Sequence, residues 1–371
     1  HVGRNAGFGI HCDKEIDTDE KISCVIGLQM KGDFYRVEHS LITMLRNRLE
    51  SDAENSVSLL SGPLDHFQSL ESEDVGWGCG WRNIQMLSSH LLMQRQEAKE
   101  VLFGGSGFVP DIASLQRWLE IAWEKGFDAV GSAHFEHKIY GSAKWIGTTE
   151  CATLLRSFGI RARIVDFSHN RQNLMEPMGK TLRVIGPMDR YLIRRSQDAP
   201  QVGFDIQEEC SSNEPVNGLL SSTCSSNYPE DNSHIEKYQS GKYKGHQILV
   251  DWVWNYFCDD RFTKSGNRAI IVDKAPLYFQ HDGHSRIIVG IQVKHQRNRM
   301  EQHNLLIFDP AHRTEALERS LKDNFGWQNL IKRGVHSLKK QQYQICYIDP
   351  GVACRDEMER LKKIDSVPFE Y

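Results

Sequence analysis

Residues 76–83 read Gly-Trp-Gly-Cys-Gly-Trp-Arg-Asn, and few folds have a use for that order. Cys79 stands between two glycines, with tryptophans two residues to either side, Glu73 and Asp74 before it, and an amphipathic run after it. Ile84, Leu87 and Leu91 recur at helical spacing, so the run predicts a helix with one face in a core. The glycines permit a sharp turn that brings Cys79 into the first turn of that helix. There, unpaired backbone N–H groups and the positive end of the helix dipole favour a thiolate, which is the nucleophile that a thiol is not. Two N–H groups pointing the same way also suit the oxyanion of a carbonyl under attack. The stretch is a place for covalent chemistry.

The setting follows from the totals. A chain of 371 residues allows one large domain or two ordinary ones. Its apolar fraction of 39% is low for a compact domain, so part of it is expected to lie outside the core. A net charge of -4 gives no bulk electrostatic reason to expect nucleic acid or a membrane surface. The nine cysteines are scattered with no C-x-x-C pair, which fits a reduced protein of the cytoplasm and/or nucleus without a disulfide framework. No apolar run reaches membrane-spanning length. A chain that starts at His1 is expected to be a fragment or processed form. His1, His11 and Cys12 lack a second cysteine pair at finger spacing, so no zinc site is predicted there.

Taken in order, residues 1–20 have no clear period and receive no element. Over 35–49 the set Val37, Leu41, Met44 and Leu45 fits one helical face, either a core helix or one that docks on a partner. A short strand is expected at 57–60. The Gly104–Gly107 loop lacks a following Lys-Ser/Thr, which excludes a phosphate cradle. Pro110-Asp111 starts a helix on Ile112, Leu115, Trp118, Leu119, Ala122 and Trp123 that stops at Gly126, with both tryptophans in the core. A further helix starts within 144–150 and ends at Gly159, and a strand follows at 160–167. Residues 168–245 show little sustained period, and 210–233 within them are rich in serine, asparagine and acids, so a largely disordered insertion is expected, with one short apolar piece of strand character at 182–185. A helix at 248–257 and strands at 269–272 and 277–279 restore order.

The segment His281-Asp282-Gly283-His284-Ser285-Arg286 then runs into an apolar strand at 287–291. A charged turn spans 294–303, and the return strand 305–308 ends at Asp309-Pro310. In an antiparallel hairpin the start of the first strand lies beside the end of the second, so His284 and Asp309 are expected to be neighbours. A carboxylate against one imidazole nitrogen fixes the tautomer and leaves the other nitrogen to take a proton from a thiol. Cys79, His284 and Asp309 thus form a thiol–imidazole–carboxylate set, with His281 and His312 as rival bases.

The residues 76–87 closely resemble the active-site helix of the ubiquitin-fold-modifier-specific peptidases, and within them the zinc-finger-containing ubiquitin peptidase branch. Residues 144–150, 280–286 and 305–310 agree with that branch, and the resemblance covers roughly 57–350 apart from the insertion. It implies an α+β, papain-like cysteine peptidase fold with the active-site helix packed on a mainly antiparallel sheet. It also implies cleavage after the Gly-Gly tail of ubiquitin or a relative, with ubiquitin or polyubiquitin chains as partners and with no metal or organic cofactor. Cys79 becomes the nucleophile, His284 the general base and Asp309 the orienting acid. Trp145 and Glu150 would line the groove for the modifier's arginine-containing tail, and Asp74 would shape the oxyanion corner. The organisation expected is an N-terminal segment at 1–56 whose helix at 35–49 is placed for a modifier contact, a peptidase domain at 57–350, and a C-terminal tail at 351–371. Sister peptidases for the ubiquitin-fold modifier carry a contiguous Asp-Pro-His, as do the autophagy-related cysteine proteases that share Gly-Trp-Gly-Cys. Here the order is Asp309-Pro310-Ala311-His312, which favours the ubiquitin-cleaving branch over processing of either of those modifiers. A non-catalytic fold that only binds a ubiquitin-like protein is the remaining alternative.

Overall fold

The structure is a computed structural model and describes residues 9–52, 55–168, 246–258, 268–295 and 301–370. The expected insertion, with the strand piece at 182–185, lies outside the described residues apart from Ser168. Helix α1, Gly9–Leu28, occupies a stretch with no legible period. Among its described side chains, Val25 is buried, Ile26 and Leu28 face outward, and Lys21 pairs with Glu124. Helix α2, Leu41–Glu50, is different. Its Leu41, Ile42, Met44, Leu45 and Leu49 are all buried in the main core. The docking role expected for 35–49 is therefore corrected, because the apolar face is already occupied by this chain's own core.

Strand β1 is Ser56–Leu60, and helix α3 is Cys79–Gln94. The run after Cys79 is helical as expected, yet it is buried on every side rather than on one face: Arg82, Asn83, Gln85, Ser88, Ser89 and His90 are all inside. Those polar groups need partners, since burying them unpaired is costly. Gln85 Nε2 donates to Pro110 O at 2.8 Å and Ser89 Oγ to Met86 O at 2.7 Å. Helix α4 (Gln96–Val101) follows. Helix α5 (Ile112–Glu124) is capped by Asp111, which accepts from the Ser114 N–H at 2.8 Å, and it buries both tryptophans as expected. Helix α6 is Ala129–His134 and helix α7 Thr148–Ser157.

Strand β2 (Ile160–Ser168), helix α8 (Gln247–Phe257) and strands β3 (Ala269–Ile271), β4 (Leu277–His281), β5 (His284–His295) and β6 (Glu301–Phe308) follow. Helices α9 (Thr314–Lys322) and α10 (Trp327–Ile331), strands β7 (Lys332–Gly334) and β8 (Gln342–Val352), helix α11 (Arg355–Leu361) and strand β9 (Ser366–Glu370) complete the chain. The strands make one sheet with β5 as its hub. Along one edge β5 pairs with β6; along the other it pairs first with β4 and then with β1. Pairing continues from β4 through β8 and β2 to β9, and from β1 to β3. Only β1 with β3 and β2 with β9 are parallel among the described strands, so the sheet is mainly antiparallel, as expected.

Two expectations need correction. The charged turn expected at 294–303 is shorter, because β5 runs to His295 and β6 begins at Glu301. The stretch 351–371 is not a tail: α11 and β9 close the far edge of the sheet. Phe369 stacks on Phe167 with ring centroids 5.4 Å apart, and Arg156 donates to the Leu361 and Lys363 carbonyls. These partners lie about 200 residues upstream, where no local pattern points to them. Among the described residues no helix is long and apolar enough to cross a membrane.

Two buried imidazoles make the fold acid-sensitive. Burial pushes His66 and His90 down from 6.5 to about 4, although each bonds a carbonyl, His66 that of Asp309 and His90 that of Pro63. Between those values the unfolded chain binds protons that the native chain refuses, so stability present above pH 6.5 is lost as pH falls towards 4. By pH 5 this amounts to about 2 kcal/mol for each imidazole. Urea unfolding at pH 7 and pH 5 should show that fall, and His90→Gln should remove about 2 kcal/mol of it. Equal stability at the two pH values would contradict the assignment.

Candidate active site

Cys79 is the first residue of α3 and is partly exposed. The loop before it is held by a buried ion pair that closes over the helix start. Arg82 places its terminal nitrogen 2.7 Å from Asp74 Oδ1 and its Nε 3.2 Å from Oδ2, and Asp74 Oδ1 also accepts from the Leu70 N–H at 2.9 Å. With both oxygens engaged and no proton to offer, Asp74 is suited to shaping this corner rather than to meeting an oxyanion. Neighbouring glycines provide the space. A Cβ on Gly78 would overlap the Asp74 side chain, and one on Gly80 would stand 2.7 Å from Ile146 Cγ1. The segment leading into α7 therefore crosses directly over the start of α3.

On the sheet side, Asp282 and Gly283 form a two-residue turn between β4 and β5, with φ of 39° and 77° and His281 paired to His284. Two positive φ angles in sequence are the signature of the tight hairpin turn whose twist matches the strands. Trp145 lies on this turn. Its ring occupies the place where a Gly283 Cβ would go, and its centroid is 6.4 Å from that of His284. At 46% exposed, Trp145 is a surface indole beside His284 and not a core residue. Gly283→Ala should cost about 1–3 kcal/mol through the left-handed backbone and push the indole off the turn. Urea unfolding with tryptophan emission checks both; a variant matching the parent in each would refute the packing described.

Helix and sheet are joined next to these residues. Asn83, one turn along α3 from Cys79, donates from Nδ2 to Ser285 Oγ at 3.0 Å, and Ser285 follows His284. Thus the structure brings the start of α3 and the start of β5 together. Asp309 is placed differently from expectation. Ile287 pairs with Phe308, so Asp309 stands across from Arg286, with His284 at the diagonal position on the same face. Its carboxylate forms a salt bridge with Arg286 and accepts from the Ala311 N–H at 3.0 Å. Burial acts to raise the Asp309 carboxyl, but the Arg286 charge, the Ala311 N–H and the Arg286 bond together hold it below the usual range. Arg286 therefore stands where the sequence reading placed the imidazole.

The rival bases are weakened by their surroundings. Burial, then the Arg286 and His284 charges, push His281 down to about 4. Its Nε2 lies 2.6 Å from an Arg286 nitrogen, and since guanidinium only donates, that lone pair is already taken. Burial also lowers His312, against the pull of Asp309. Glu150 is 3% exposed, and its Oε2 accepts from the Gly147 N–H at 2.7 Å, so the structure shows it capping α7. Sequence reading passed over four residues here: Arg82, Asn83, Ser285 and Arg286. All four lie inside the quoted motifs, but the bonds of Asn83 with Ser285 and of Arg286 with Asp309 join one motif to another, which no single stretch shows. A fifth is Gln280, whose Oε1 accepts from the Thr148 N–H at 2.8 Å and ties the Trp145 segment to β4.

A helix-start thiol set against a sheet-borne imidazole is the arrangement of the papain-like class of cysteine peptidases. The chain belongs to peptidase family C78, whose profile matches residues 53–185 and 221–346. It is 29% identical to zinc finger-containing ubiquitin peptidase 1 of Rattus norvegicus over 310 residues, 83% of this chain and 40% of that protein. It is 37% identical over 126 residues to ubiquitin carboxyl-terminal hydrolase mug105 of Schizosaccharomyces pombe, 34% of this chain and 50% of that one. Over 85 residues it is 35% identical to probable Ufm1-specific protease 1 of Drosophila melanogaster, 23% of this chain and 29% of that one. The chain thus spans less than half the length of the rat relative.

Proposed function

We propose that the protein cleaves ubiquitin or a ubiquitin-like modifier from conjugates or chains, after the modifier's C-terminal Gly-Gly, through a thioester on Cys79. The observation that carries this reading is Cys79 as the first residue of a buried helix whose next turn is bonded to the neighbour of His284. His284 takes the thiol proton, and the sulfur attacks the carbonyl of the last glycine. Backbone N–H groups at the start of α3 hold the oxyanion. His284 gives its proton to the departing amine as the C–N bond breaks. Water then attacks the thioester as the same imidazole takes one of its protons, and the sulfur leaves with that proton returned to it. Asp309 serves as supporting acid: each carboxylate oxygen has two lone pairs, so capacity remains on the face that His284 shares. Trp145 covers the narrow glycine tail beside the turn, and Glu150 supports the tail groove through the segment it caps.

The names of the rat and fission-yeast relatives support ubiquitin as the modifier. The name of the fly relative supports a second reading, the ubiquitin-fold modifier, against which stands the displaced His312 of Asp309-Pro310-Ala311-His312. The deciding experiment presents each modifier with a thiol-reactive group at its C-terminus. A covalent adduct at Cys79 with the ubiquitin probe is expected. An adduct only with the other modifier would replace the first reading by the second, and no adduct with either would leave a binding fold.

A further inference from the structure

Among the described residues, one side-chain hydrogen bond joins α3 to β5. Asn83 and Ser285 are 0% and 4% exposed and share a hydrogen bond of 3.0 Å. Residues four apart on a helix share a face, so Asn83 lies under Cys79 on the side that meets the sheet. Ser285 is adjacent to His284 on β5. Tyr278, also fully buried, brings its hydroxyl to the same place, 2.9 Å from where a Gly80 Cβ would stand. The Asn83 Oδ1 has no hydrogen-bond partner, and the Tyr278 hydroxyl is directed at Ser285. Buried polar atoms left unpaired cost about 1–3 kcal/mol each. An apolar contact of the same shape would hold helix to sheet at least as firmly, so stability alone gives this polar node no advantage.

We propose that Asn83 and Ser285 are positioning residues for the thiol–imidazole pair, their hydrogen bond setting the separation of Cys79 from His284. Ile84, Leu87 and Ile287 bury area but are indifferent to small slides of helix along strand. A hydrogen bond is not, because it weakens steeply with distance and angle. One end of this bond is a single helical turn from the sulfur, and the other is a single residue from the imidazole. The inference rests on Cys79 and His284 being the reacting pair. A misplacement of about 1 Å between reacting groups costs on the order of a hundredfold in rate.

The test uses the full chain carrying Asn83→Ala, Ser285→Ala or both, with a ubiquitin C-terminal fluorogenic amide as substrate. Iodoacetamide alkylation of Cys79 and thermal melting are followed in parallel. Each single substitution should lower kcat by about ten- to a hundredfold with KM held within about twofold, and slow alkylation in step. The double variant should be no worse than the poorer single one, since one bond is lost once. Independent, multiplying effects would overturn the proposal, as would a Ser285→Ala enzyme with kcat and alkylation within twofold of the parent. Should Asn83→Ala fail to fold, Ser285→Ala, which removes one oxygen, still decides. A parent chain inert towards the substrate would instead overturn the functional reading, while alkylation rates would still decide the positioning.

Discussion

Cys79→Ala should abolish turnover and leave the affinity for the modifier unchanged. The helix-start N–H groups, His284 and the Trp145 surface all remain in that variant, so the tail still finds its groove. What disappears is the only atom proposed to bond with the carbonyl carbon. In enzymes that work through a covalent intermediate, loss of the nucleophile costs on the order of 10⁶ in kcat, with the residue of rate coming from binding and the oxyanion site. No other described cysteine is placed to substitute. Cys24, Cys258 and Cys354 are exposed elsewhere in the chain, Cys346 is buried in β8, and burial holds Cys151 well above the usual thiol range. Alanine is smaller than cysteine and clashes with nothing, so the fold should survive. Steady-state kinetics and calorimetric binding measure the two halves of the expectation, and cleavage at the parent rate would end the proposal.

Asp74→Ala should be the most damaging single change to stability near the site. Arg82 and Asp74 have side chains 4% and 0% exposed, and their ion pair carries two hydrogen bonds. Removing the acid leaves a buried guanidinium facing only Gln85 and the exposed Glu73, and it deprives the Leu70 N–H of its acceptor. Breaking a buried pair from one side costs about 3–5 kcal/mol, far more than the pair adds relative to an apolar replacement. For a chain of this size that corresponds to a fall in Tm of roughly 5 °C. Pairing Asp74→Ala with Arg82→Met should recover much of the loss, since no charge is then stranded. Activity should fall as well, because the loop that delivers Cys79 is anchored by this pair. A single variant melting within about 2 °C of the parent would show that the pair is not what holds the corner.

Elements decided by neighbours in sequence were legible in it, and those decided by distant partners were not. The helix starting at Cys79, the Asp282-Gly283 turn, the strands on either side of 294–303 and the helix ended by Gly126 were legible because neighbours in sequence decide them. Glycine conformations, capping groups and apolar period act over a few residues. Strand β9 was not legible, because its partner β2 lies far upstream. Much of the candidate site's chemistry also belongs to that second group.

From sequence alone the residue types were determined: a thiol at a helix start, an imidazole after a tight turn, and a carboxylate at the end of the returning strand. Only the tertiary structure decided their partners. It gave Asp309 to Arg286, Glu150 to the Gly147 N–H, Asp74 to Arg82 and Asn83 to Ser285. Backbone preferences are local and so are written in adjacent residues. The partner of a buried polar side chain is whatever the packing of helix on sheet brings within about 3 Å, and no short stretch of chain encodes that distance.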